Sequence, residues 1–487
     1  MATRVVSPKL LKNLRCFTRS LNSSPSSITA VSPLNFAEKP SPTPTTTTPP
    51  DSIIDLDDVS KLFATVSTGK LLRSSINLHM AAVNPMVDVG MWVMRSRLME
   101  TVVLRDVIVG IIKKTFFEHF CAGEDVEEAG RAIRSLWGSG LRGMLVYGVE
   151  HTDDNESCDR NLEEFLRTVE STKSLPPSSV SFIIVKITAI CPMTLLKRVS
   201  DLLRWEYKDP SFDLPWKLNT FPIFADSSPF YHTLKKPDPL TPQEEHDLQL
   251  GHQRLQKLCQ KCLEANVPLS IDAEDTFVQP AIDYFTYSAA IIHYKDNNPI
   301  IFGTIQAYLK DAKQRLFLAT QAAEKMGVPM GFKLVRGAYM SSETQLASSL
   351  GFESPIHKSI QDTHACYNDC ASFMLEKIAS GSGAVVLATH NVESGKLAAA
   401  KARDLGIRTD NQNLQFAQLY GMSEALSFGL RNAGFIVSKY MQFGPIDMVM
   451  PYLLRRAEEN RGFLSSSTVD RQLMSKELKR RLKAAIL

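Results

Sequence analysis

The stretch SFIIVKITA, residues 181–189, indicates the fold class of this 487-residue chain. Its apolar residues are largely consecutive, which is typical of a parallel β-strand covered by other elements on both faces. Short apolar runs of this kind occur seven more times between residues 141 and 444. The eight runs are residues 141–148, 181–189, 266–274, 298–306, 331–338, 384–391, 414–421 and 435–444.

Segments of helical length separate the runs, for example QAYLKDAKQRLFLATQAAEKMG at residues 306–327. Strand and helix alternating eight times predict an α/β protein with a (β/α)8 TIM-like barrel. We predict that the barrel covers residues 138–465, with an insertion near residues 207–245 because that connection is long and rich in proline. Residues 53–137 are predicted to form an N-terminal helical region, and residues 466–487 a C-terminal basic helix.

The N-terminus differs in composition from the rest of the chain. Residues 1–37 contain no Asp or Glu, and they have no apolar core of the kind that a secretory signal needs. This composition predicts an organellar transit peptide over residues 1–37, mitochondrial in preference to plastid, the alternative being a disordered basic tail. Residues 38–52 are rich in Pro and Thr and are predicted to be a disordered linker. The basic residues of the first segment are Arg4, Lys9, Lys12, Arg15 and Arg19.

The composition also excludes several classes of protein. The net charge of +3 is too small to indicate nucleic acid as a partner. No apolar run reaches the length of about 18 residues that a membrane-spanning helix needs. The sequence has no P-loop, dinucleotide fingerprint or HExxH motif, so we predict no metal. Cys259 and Cys262 form a CxxC pair without a second pair nearby, and we interpret them as reduced thiols of a helix rather than a zinc site.

Polar residues stand at or just after the ends of all eight predicted strands. One such residue is most simply a core polar group with a satisfied partner. Eight strands that end this way predict an active site, because barrel enzymes place their chemistry at the carboxyl ends of the strands. The residues are Tyr147, Glu150, Lys186, Asp272, Glu274, Gln306, Lys333, Arg336, Thr389, His390, Asn391, Gln418 and Tyr440.

The stretch PYLLRRAEENRG, residues 451–462, follows the last run and predicts a helix with Pro451 in its first turn and Gly462 just past its end. This face could simply be solvated, with its first arginine and its glutamate as an i,i+4 ion pair. Together with Lys186 at a nearby strand end, it predicts instead a site for a small carboxylate, which arginine binds in a planar, bidentate way. The residues that share the face are Tyr452, Arg455, Arg456 and Glu459.

At these residues the chain resembles the proline dehydrogenase family, in particular its plant mitochondrial form. Seven motifs carry the resemblance in family order: VKITAICP, IDAED, IQAYLKDA, KLVRGAYM, ATHN, FAQLYGM and YLLRRAEEN. The resemblance implies a distorted (β/α)8 barrel whose last helix lies over a bound FAD. It implies oxidation of L-proline to Δ1-pyrroline-5-carboxylate. It also implies electron transfer to a quinone, through peripheral contact with the matrix side of the inner mitochondrial membrane.

The resemblance implies roles for the residues that face the substrate. Arg455, Arg456 and Lys186 match residues that hold the proline carboxylate. Asp272 and Tyr440 match a hydrogen-bonded pair that lines the site, and we expect Asp272 to face the site rather than to sit in a structural ion pair. No strong general base for the substrate amine is found among the matched residues.

Further matches concern the proline ring, a gate and the cofactor. Tyr452 and Leu419 match residues that pack against the proline ring, and Glu150 matches a carboxylate that pairs with the first arginine as a gate. Lys333 departs from the bacterial pattern, which usually has Arg, so the bidentate geometry of that contact is lost. The residues matched to FAD contacts are Gln306, Lys333, Val335, Gly337, Ala338, Thr389, His390, Asn391 and Glu459.

Three other functions are compatible with parts of the pattern. Lys186 could be the nucleophile of a Schiff-base aldolase. The chain could be a catalytically inactive family member that senses proline, although its intact cationic residues and Asp272 argue against this. It could be a hydroxyproline oxidase, but members that prefer hydroxyproline tend to carry Ser at the position of Tyr440, so Tyr440 favours proline.

Overall fold

The protein is described by a computed structural model, which covers residues 53–96, 100–296, 298–460 and 467–486. The predicted transit peptide (1–37) and linker (38–52) lie outside these residues. Eight parallel strands close into a barrel in the order β1-β10-β9-β8-β7-β6-β3-β2, which confirms the predicted (β/α)8 fold. The strands are β1 (Arg142–Tyr147), β2 (Val180–Val185), β3 (Leu269–Ile271), β4 (Tyr294–Lys295), β5 (Asn298–Pro299), β6 (Ile301–Gln306), β7 (Gly331–Val335), β8 (Ala384–Ala388), β9 (Leu414–Leu419) and β10 (Val437–Phe443).

Helices surround the barrel and extend it at both chain ends. The α-helices of the described residues are α1 (Val59–Leu62), α2 (Thr68–Ala82), α3 (Asn84–Arg95), α4 (Val102–Ile112), α5 (Glu118–Phe120), α6 (Val126–Gly138), α7 (Asn155–Ser171), α8 (Met193–Lys208), α9 (Pro242–Ala265), α10 (Gln279–Ile292), α11 (Ala312–Met326), α12 (Met340–Ser349), α13 (Ile360–Ala379), α14 (Val392–Asp404), α15 (Glu424–Asn432), α16 (Ile446–Glu459) and α17 (Thr468–Ile486). A π-helical turn, Lys113–Phe117, joins α4 to α5. No described helix is long and apolar enough to cross a membrane.

The barrel interior changes from apolar to polar along the strands. Side chains of a strand alternate between its two faces, so residues two apart point the same way. In β2, Phe182 and Ile184 belong to the apolar cluster that also contains Met144, Val146 and Phe302. Continuing the period of two beyond Ile184 reaches Lys186, and continuing it from Phe302 reaches Gln306. The same faces that fill the barrel floor therefore place polar groups at the carboxyl ends of the strands.

The two ends of the described chain pack together beside the barrel. Helix α17 lies against α2, and Arg481 of α17 donates hydrogen bonds to the carbonyl oxygens of Phe63 and Val66 at 2.8 Å each. These acceptors lie at and just beyond the carboxyl end of α1, where backbone carbonyls lack helical donors. The arginine therefore stabilises the turn between α1 and α2 from the opposite end of the chain.

The irregular part of the long proline-rich connection covers fewer residues than the predicted insertion at 207–245. Helix α8 runs to Lys208, and α9 begins at Pro242. Thr241 caps α9 in a capping box with Glu244, which explains why regular structure resumes at this point. Before β6, strands β4 and β5 pair as a small antiparallel ribbon, so the barrel strand itself starts only at Ile301.

The predicted start of the last barrel helix is wrong. Helix α16 begins at Ile446, after Pro445, and Pro451 lies inside it. A proline inside a helix has no N–H to donate, so the Asp447 carbonyl loses its helical partner. In the sequence Pro451 fits a helix start, whereas in the structure Pro445 holds the position before the first helical residue. Gly462 lies outside the described residues.

The described cysteines are all free and buried. Cys259 and Cys262 both lie in α9 with no exposed surface. Among the described side chains, neither belongs to a group of three potential metal ligands. Their burial in an apolar helix interface is consistent with their interpretation as reduced core thiols.

Candidate active site

Asp272 is the centre of the polar cluster at the barrel mouth. It follows β3 and accepts a hydrogen bond from the hydroxyl of Tyr440 at 2.7 Å through Oδ2. Its Oδ1 pairs with the ammonium of Lys333 in β7, and Lys186 Nζ lies 3.9 Å from Oδ2. Asp272 thus faces the site, but the expectation that it is free of structural ion pairs is wrong. A buried carboxylate needs these cations, since a desolvated charge without a partner is costly.

The charges of this cluster stabilise one another. Burial alone would raise the pKa of Asp272, but Lys333 and Lys186 lower it below its ordinary value. Burial likewise opposes the charge on Lys186, yet the carboxylate of Glu150 raises its pKa well above the usual range. Lys186 is therefore an ammonium and Asp272 a carboxylate at neutral pH. A protonated Lys186 is a poor amine nucleophile, which counts against the aldolase alternative.

Glu150 and Arg455 connect the barrel mouth to helix α16. Arg455 Nη2 donates to Glu150 Oε1 at 2.7 Å, and the glutamate side chain is only 8% exposed. Burial alone would raise the pKa of Glu150, but Lys186 and Arg455 lower it to about 2. The His151 ring lies on the other side of this carboxylate, with Nε2 3.6 Å from Oε2. Glu150 therefore stays ionised and is bound to Arg455, one of the two arginines predicted to bind the substrate carboxylate.

The predicted polar face of α16 is only partly solvated, since Tyr452 and Arg456 are buried, Arg455 is half-buried and Glu459 is exposed. Tyr452 and Arg456 are 3% and 5% exposed. Arg456 donates to Glu459 at 2.5 Å, so the ion pair on this helix is an i,i+3 pair of Arg456 and not an i,i+4 pair of Arg455. The Arg456 guanidinium also lies 4.8 Å from the Tyr452 ring centroid. The Tyr452 hydroxyl and Arg456 Nε are buried without a hydrogen-bond partner, so both groups on this face could still bind a further polar group.

A second group of polar residues surrounds Arg336 at the ends of β7 and β8. Its guanidinium donates to His364 Nδ1 at 3.0 Å, to Thr389 at 2.6 Å and to Ser394 at 2.9 Å. Arg336 is thereby fixed in one orientation. The predicted contact residue Asn391 caps helix α14 here, because its side-chain oxygen accepts from the Ser394 N–H at 2.8 Å.

The chain next to Arg336 approaches its neighbours closely. Gly337 has φ +139°, and a Cβ there would come within 2.5 Å of the Tyr308 ring. Gly337 and Ala338 are exposed, and Val335 is half-buried at the end of β7. A side chain at position 337 would require both a strained backbone and movement of a buried ring. A bound group could therefore approach this exposed backbone only from the side away from the Tyr308 ring.

Two further predicted residues are held by backbone contacts. His390 Nε2 accepts from the Leu419 N–H at 3.1 Å, and burial lowers the pKa of His390 to about 3. The ring is thus neutral, with its proton on Nδ1. Gln306, at the end of β6, donates to the carbonyl oxygen of Glu274 at 2.8 Å.

The structure therefore brings the predicted residues together in two neighbouring groups. Lys186, Asp272, Lys333 and Tyr440 are in direct contact, and Arg455 and Glu150 join them through Lys186. The residues around Arg336 form the second group and touch the first through β7, which carries Lys333.

The sequence pattern placed Arg336 and Glu274 among the strand-end polar residues without a specific role, and it did not single out Tyr339. Arg336 organises the second group, as described above. Glu274 has no exposed surface, accepts from Thr188 Oγ1 at 2.8 Å, and has its pKa raised by burial. Burial raises the pKa of Tyr339, which also feels the charges of Lys186, Glu274 and Glu150. All three lie at or beside predicted strand ends or within motifs. Their position in the sequence was therefore the signal that could have identified them.

Comparison with known proteins places the chain in a family. The family model described as proline dehydrogenase matches residues 129–469. The chain is 61% identical over 436 residues to proline dehydrogenase 1, mitochondrial, of Arabidopsis thaliana, covering 89% of this chain and 87% of the relative. It is 59% identical over 438 residues to proline dehydrogenase 2, mitochondrial, of the same plant, covering 89% and 92%.

A solved structure shows the same fold at low sequence identity. Proline utilization A (PutA) from Bdellovibrio bacteriovorus aligns with a TM-score of 0.58 and 20% identity over 83% of this chain. The match covers 41% of the bacterial chain, so this protein spans less than half of its length. The family match over residues 129–469 and the two plant relatives lead to one conclusion: the chain belongs to the proline dehydrogenase family.

Proposed function

We propose that this protein oxidises L-proline to Δ1-pyrroline-5-carboxylate, with FAD as its cofactor. The observation that carries the proposal is the meeting of two cations, Lys186 and Arg455, with the Asp272–Tyr440 pair at the barrel mouth; Arg456 follows Arg455 on the same helix. Such a site fits a small zwitterion, since the cations suit a carboxylate and the anions suit an amine. The two plant relatives with 61% and 59% identity carry the corresponding name.

The carboxylate of the substrate would bind the arginines of α16 and Lys186. Arg455 already pairs with Glu150, so an incoming carboxylate has to replace Glu150 at that guanidinium. In this exchange Glu150 acts as a gate. The charge of Arg455 is balanced by Glu150 when substrate is absent and by the substrate carboxylate when it is bound. Tyr452 and Leu419 would enclose the proline ring, which orients its reacting carbon.

Asp272 and Tyr440 form the opposite wall of the site. The hydrogen bond at 2.7 Å fixes the phenol ring, and the Lys333 ammonium lies 5.5 Å from that ring's centroid. The substrate amine must lose its proton before a hydride can leave the neighbouring carbon. Asp272 is a weak base because its pKa is lowered, and we assign no residue to that proton transfer.

The residues of the second group fit a flavin. The exposed backbone at Gly337 and Ala338 permits close approach of a large planar or phosphorylated group, and Arg336 offers a fixed cation beside it. When bound, FAD supplies the hydride acceptor. The residues that would hold it are Gln306, Lys333, Val335, Gly337, Ala338, Thr389, His390, Asn391 and Glu459.

We further propose that the protein works in mitochondria, on the matrix side of the inner membrane, and passes its electrons to a quinone. The acid-free residues 1–37 support the import step. The names of both plant relatives include the word mitochondrial. Contact with the membrane would be peripheral.

The visible spectrum of the purified protein tests the reaction and the cofactor together. We expect flavin absorbance that bleaches when L-proline is added without oxygen and returns when a soluble quinone is added. Absence of flavin, or flavin that proline does not reduce, would refute the proposal. Borohydride trapping of a carbonyl compound on Lys186 would favour the aldolase instead.

Hydroxyproline oxidation is the second candidate, and Tyr440 decides between the two. Its ring is fixed by Asp272 on one side, so it cannot swing away from a ring hydroxyl of the substrate. We expect the native protein to prefer proline. Tyr440→Ser should raise the ratio of kcat/KM for hydroxyproline to that for proline. A native protein that oxidises hydroxyproline faster would identify the second candidate as correct.

A further inference from the structure

Helices α3 and α4 expose apolar side chains that a water-soluble helix would bury. Nine of the 26 exposed large apolar side chains of the described residues fall between positions 72 and 111. In α4 no described side chain is buried, and in α3 only Val87 is. Exposed apolar patches of this kind mark interaction surfaces. The nine residues are Leu72, Ile76, Met86, Val89, Trp92, Val103, Leu104, Val107 and Ile111.

The exposed residues form stripes rather than scattered points. Met86, Val89 and Trp92 follow one another at intervals of three in α3, within about 120° of the helix circumference. In α4, Val103, Leu104, Val107 and Ile111 lie within an arc of about 100°. Val103 is 73% exposed and Trp92 is 64% exposed. Each helix therefore turns an apolar face toward the outside of the molecule, the reverse of ordinary amphipathic packing.

Basic residues border this apolar surface. Lys113, which is paired with Glu124, and the exposed Lys114 follow the end of α4. Apolar helix faces with a tryptophan and flanking basic residues fit the interface of an anionic bilayer, where the stripe enters the acyl region and the cations meet headgroups. At about 1.5 Å per residue, the 12 and 11 residues of α3 and α4 are too short to span a bilayer of about 30 Å. They are long enough to lie in its surface.

The apolar helices are attached directly to the helix that covers the barrel mouth. Arg105 of α4 donates to Asp447 of α16 at 2.9 Å, and α3 and the π-helical turn both pack against α16. Met448 in the first turn of α16 is 41% exposed. Helix α16 also carries Arg455 and Arg456. A surface that holds α3 and α4 therefore lies next to the proposed site of flavin reduction.

We propose that α3 and α4 insert their apolar stripes into the surface of an anionic lipid bilayer and hold the barrel mouth close to it. The inference rests on the proposed function, because a quinone acceptor is dissolved in the bilayer and a mouth held there shortens its path. A second copy of this chain is the competing occupant. The flanking lysines and the tryptophan favour lipid, since both belong to interfacial anchors.

Flotation of the full-length protein with vesicles tests this inference. The vesicles contain phosphatidylcholine with a minor fraction of anionic phosphatidylglycerol. The test variant carries Trp92→Ser, Val103→Ser and Val107→Ser. The matched control carries Leu234→Ser, Leu397→Ser and Leu482→Ser, three residues with similar exposure (63%, 57% and 63%) elsewhere on the surface. Proline oxidation with a soluble dye acceptor is measured for every protein.

We expect the native protein and the control to float with the vesicles, and the test variant to bind at least about tenfold more weakly. Dye-linked proline oxidation should be the same in all three, while reduction of a bilayer quinone should fall only in the test variant. Vesicle binding that is unchanged in the test variant would overturn the inference. A native dimer without lipid that becomes monomeric in the test variant would identify a second copy as the occupant.

Failure of the proposed function gives a different result. In that case none of the proteins would oxidise proline with the dye, while vesicle binding could still be scored. Val103→Ser alone, at the most exposed of the nine positions, repeats the binding measurement if the triple variant is poorly folded. A partial loss of binding is then expected, and full binding would again contradict the inference.

Discussion

Arg455 and Glu150, 305 residues apart in sequence, form a hydrogen-bonded ion pair of 2.7 Å over the barrel mouth. The guanidinium that is proposed to bind the substrate carboxylate is therefore already bound to a carboxylate of its own chain. The negative charge of the same glutamate also raises the pKa of Lys186. Under the proposed function, substrate entry would exchange one anion for another.

Removing the competing anion should tighten ligand binding. We expect Glu150→Gln to lower the Kd of a carboxylate-bearing inhibitor about 5- to 30-fold, since the charged hydrogen bond that has to be broken is worth roughly 1–2 kcal/mol in excess of a neutral one. Calorimetric titration measures this directly. Glu163→Gln, an exposed glutamate on α7, is the matched control. Weaker binding in Glu150→Gln would mean that Glu150 helps to form the site rather than gating it.

Arg456 should contribute to carboxylate recognition more than to folding. Arg456→Met keeps the apolar stem and removes the guanidinium, which should cost about 1.5–3 kcal/mol, or roughly 10- to 150-fold in kcat/KM for proline. The loss should be much smaller for a ring amine without a carboxylate, and flavin content should stay near normal. Arg160→Met, on an exposed helix surface, provides the comparison. Equal losses for ligands with and without a carboxylate would show that Arg456 is structural.

Asp272 should affect both stability and turnover. Asp272→Ala leaves the buried ammonium of Lys333 without its partner, so the free energy of unfolding should fall by about 3–5 kcal/mol, together with kcat/KM. Adding Lys333→Met removes the unpaired charge. Denaturant unfolding should then recover part of the lost stability, while activity stays low. If the double variant is no more stable than Asp272→Ala, the ion pair is not what Asp272 contributes to folding.

Gly337 should be required for cofactor binding. In Gly337→Ala the new Cβ meets the Tyr308 ring and the backbone is held at φ +139°, so we expect a marked fall in bound flavin. The ratio of flavin to protein absorbance measures the change. Gly351→Ala is the control, because its φ of +76° imposes similar backbone strain in open space. Normal flavin content in Gly337→Ala would place the cofactor elsewhere.

Buried His119 should make the protein sensitive to mild acid. Burial lowers its pKa to about 4, so the unfolded chain takes up a proton first as the pH falls. The free energy of unfolding should therefore drop between about pH 6.5 and pH 4, by up to roughly 3 kcal/mol from this residue. His119→Gln should show a shallower loss in thermal unfolding over that window than the native protein. His246→Gln, at an exposed position, should follow the native curve.

The barrel and the edge that carries the site could be predicted from sequence because both depend on local pattern. Consecutive apolar residues such as Phe182 to Val185 mark a strand covered on both faces, wherever its partners lie. The polar residue that follows them, Lys186, marks the strand end for the same reason. The start of a helix depends less on local sequence. Pro445 and Pro451 both fit an N-terminal turn, and the packing of α16 over the mouth determines which of them precedes the helix.

The partners of the site residues were decided by the tertiary structure. The resemblance implied that Glu150 pairs with Arg455, but nothing in the sequence indicated that Asp272 is paired with Lys333. Those pairs join elements 61 and 305 residues apart. Closing the barrel sets their geometry, because the stagger of eight strands decides which side chains meet. Burial then fixes their charges, since a desolvated carboxylate is stable only where a cation is held against it.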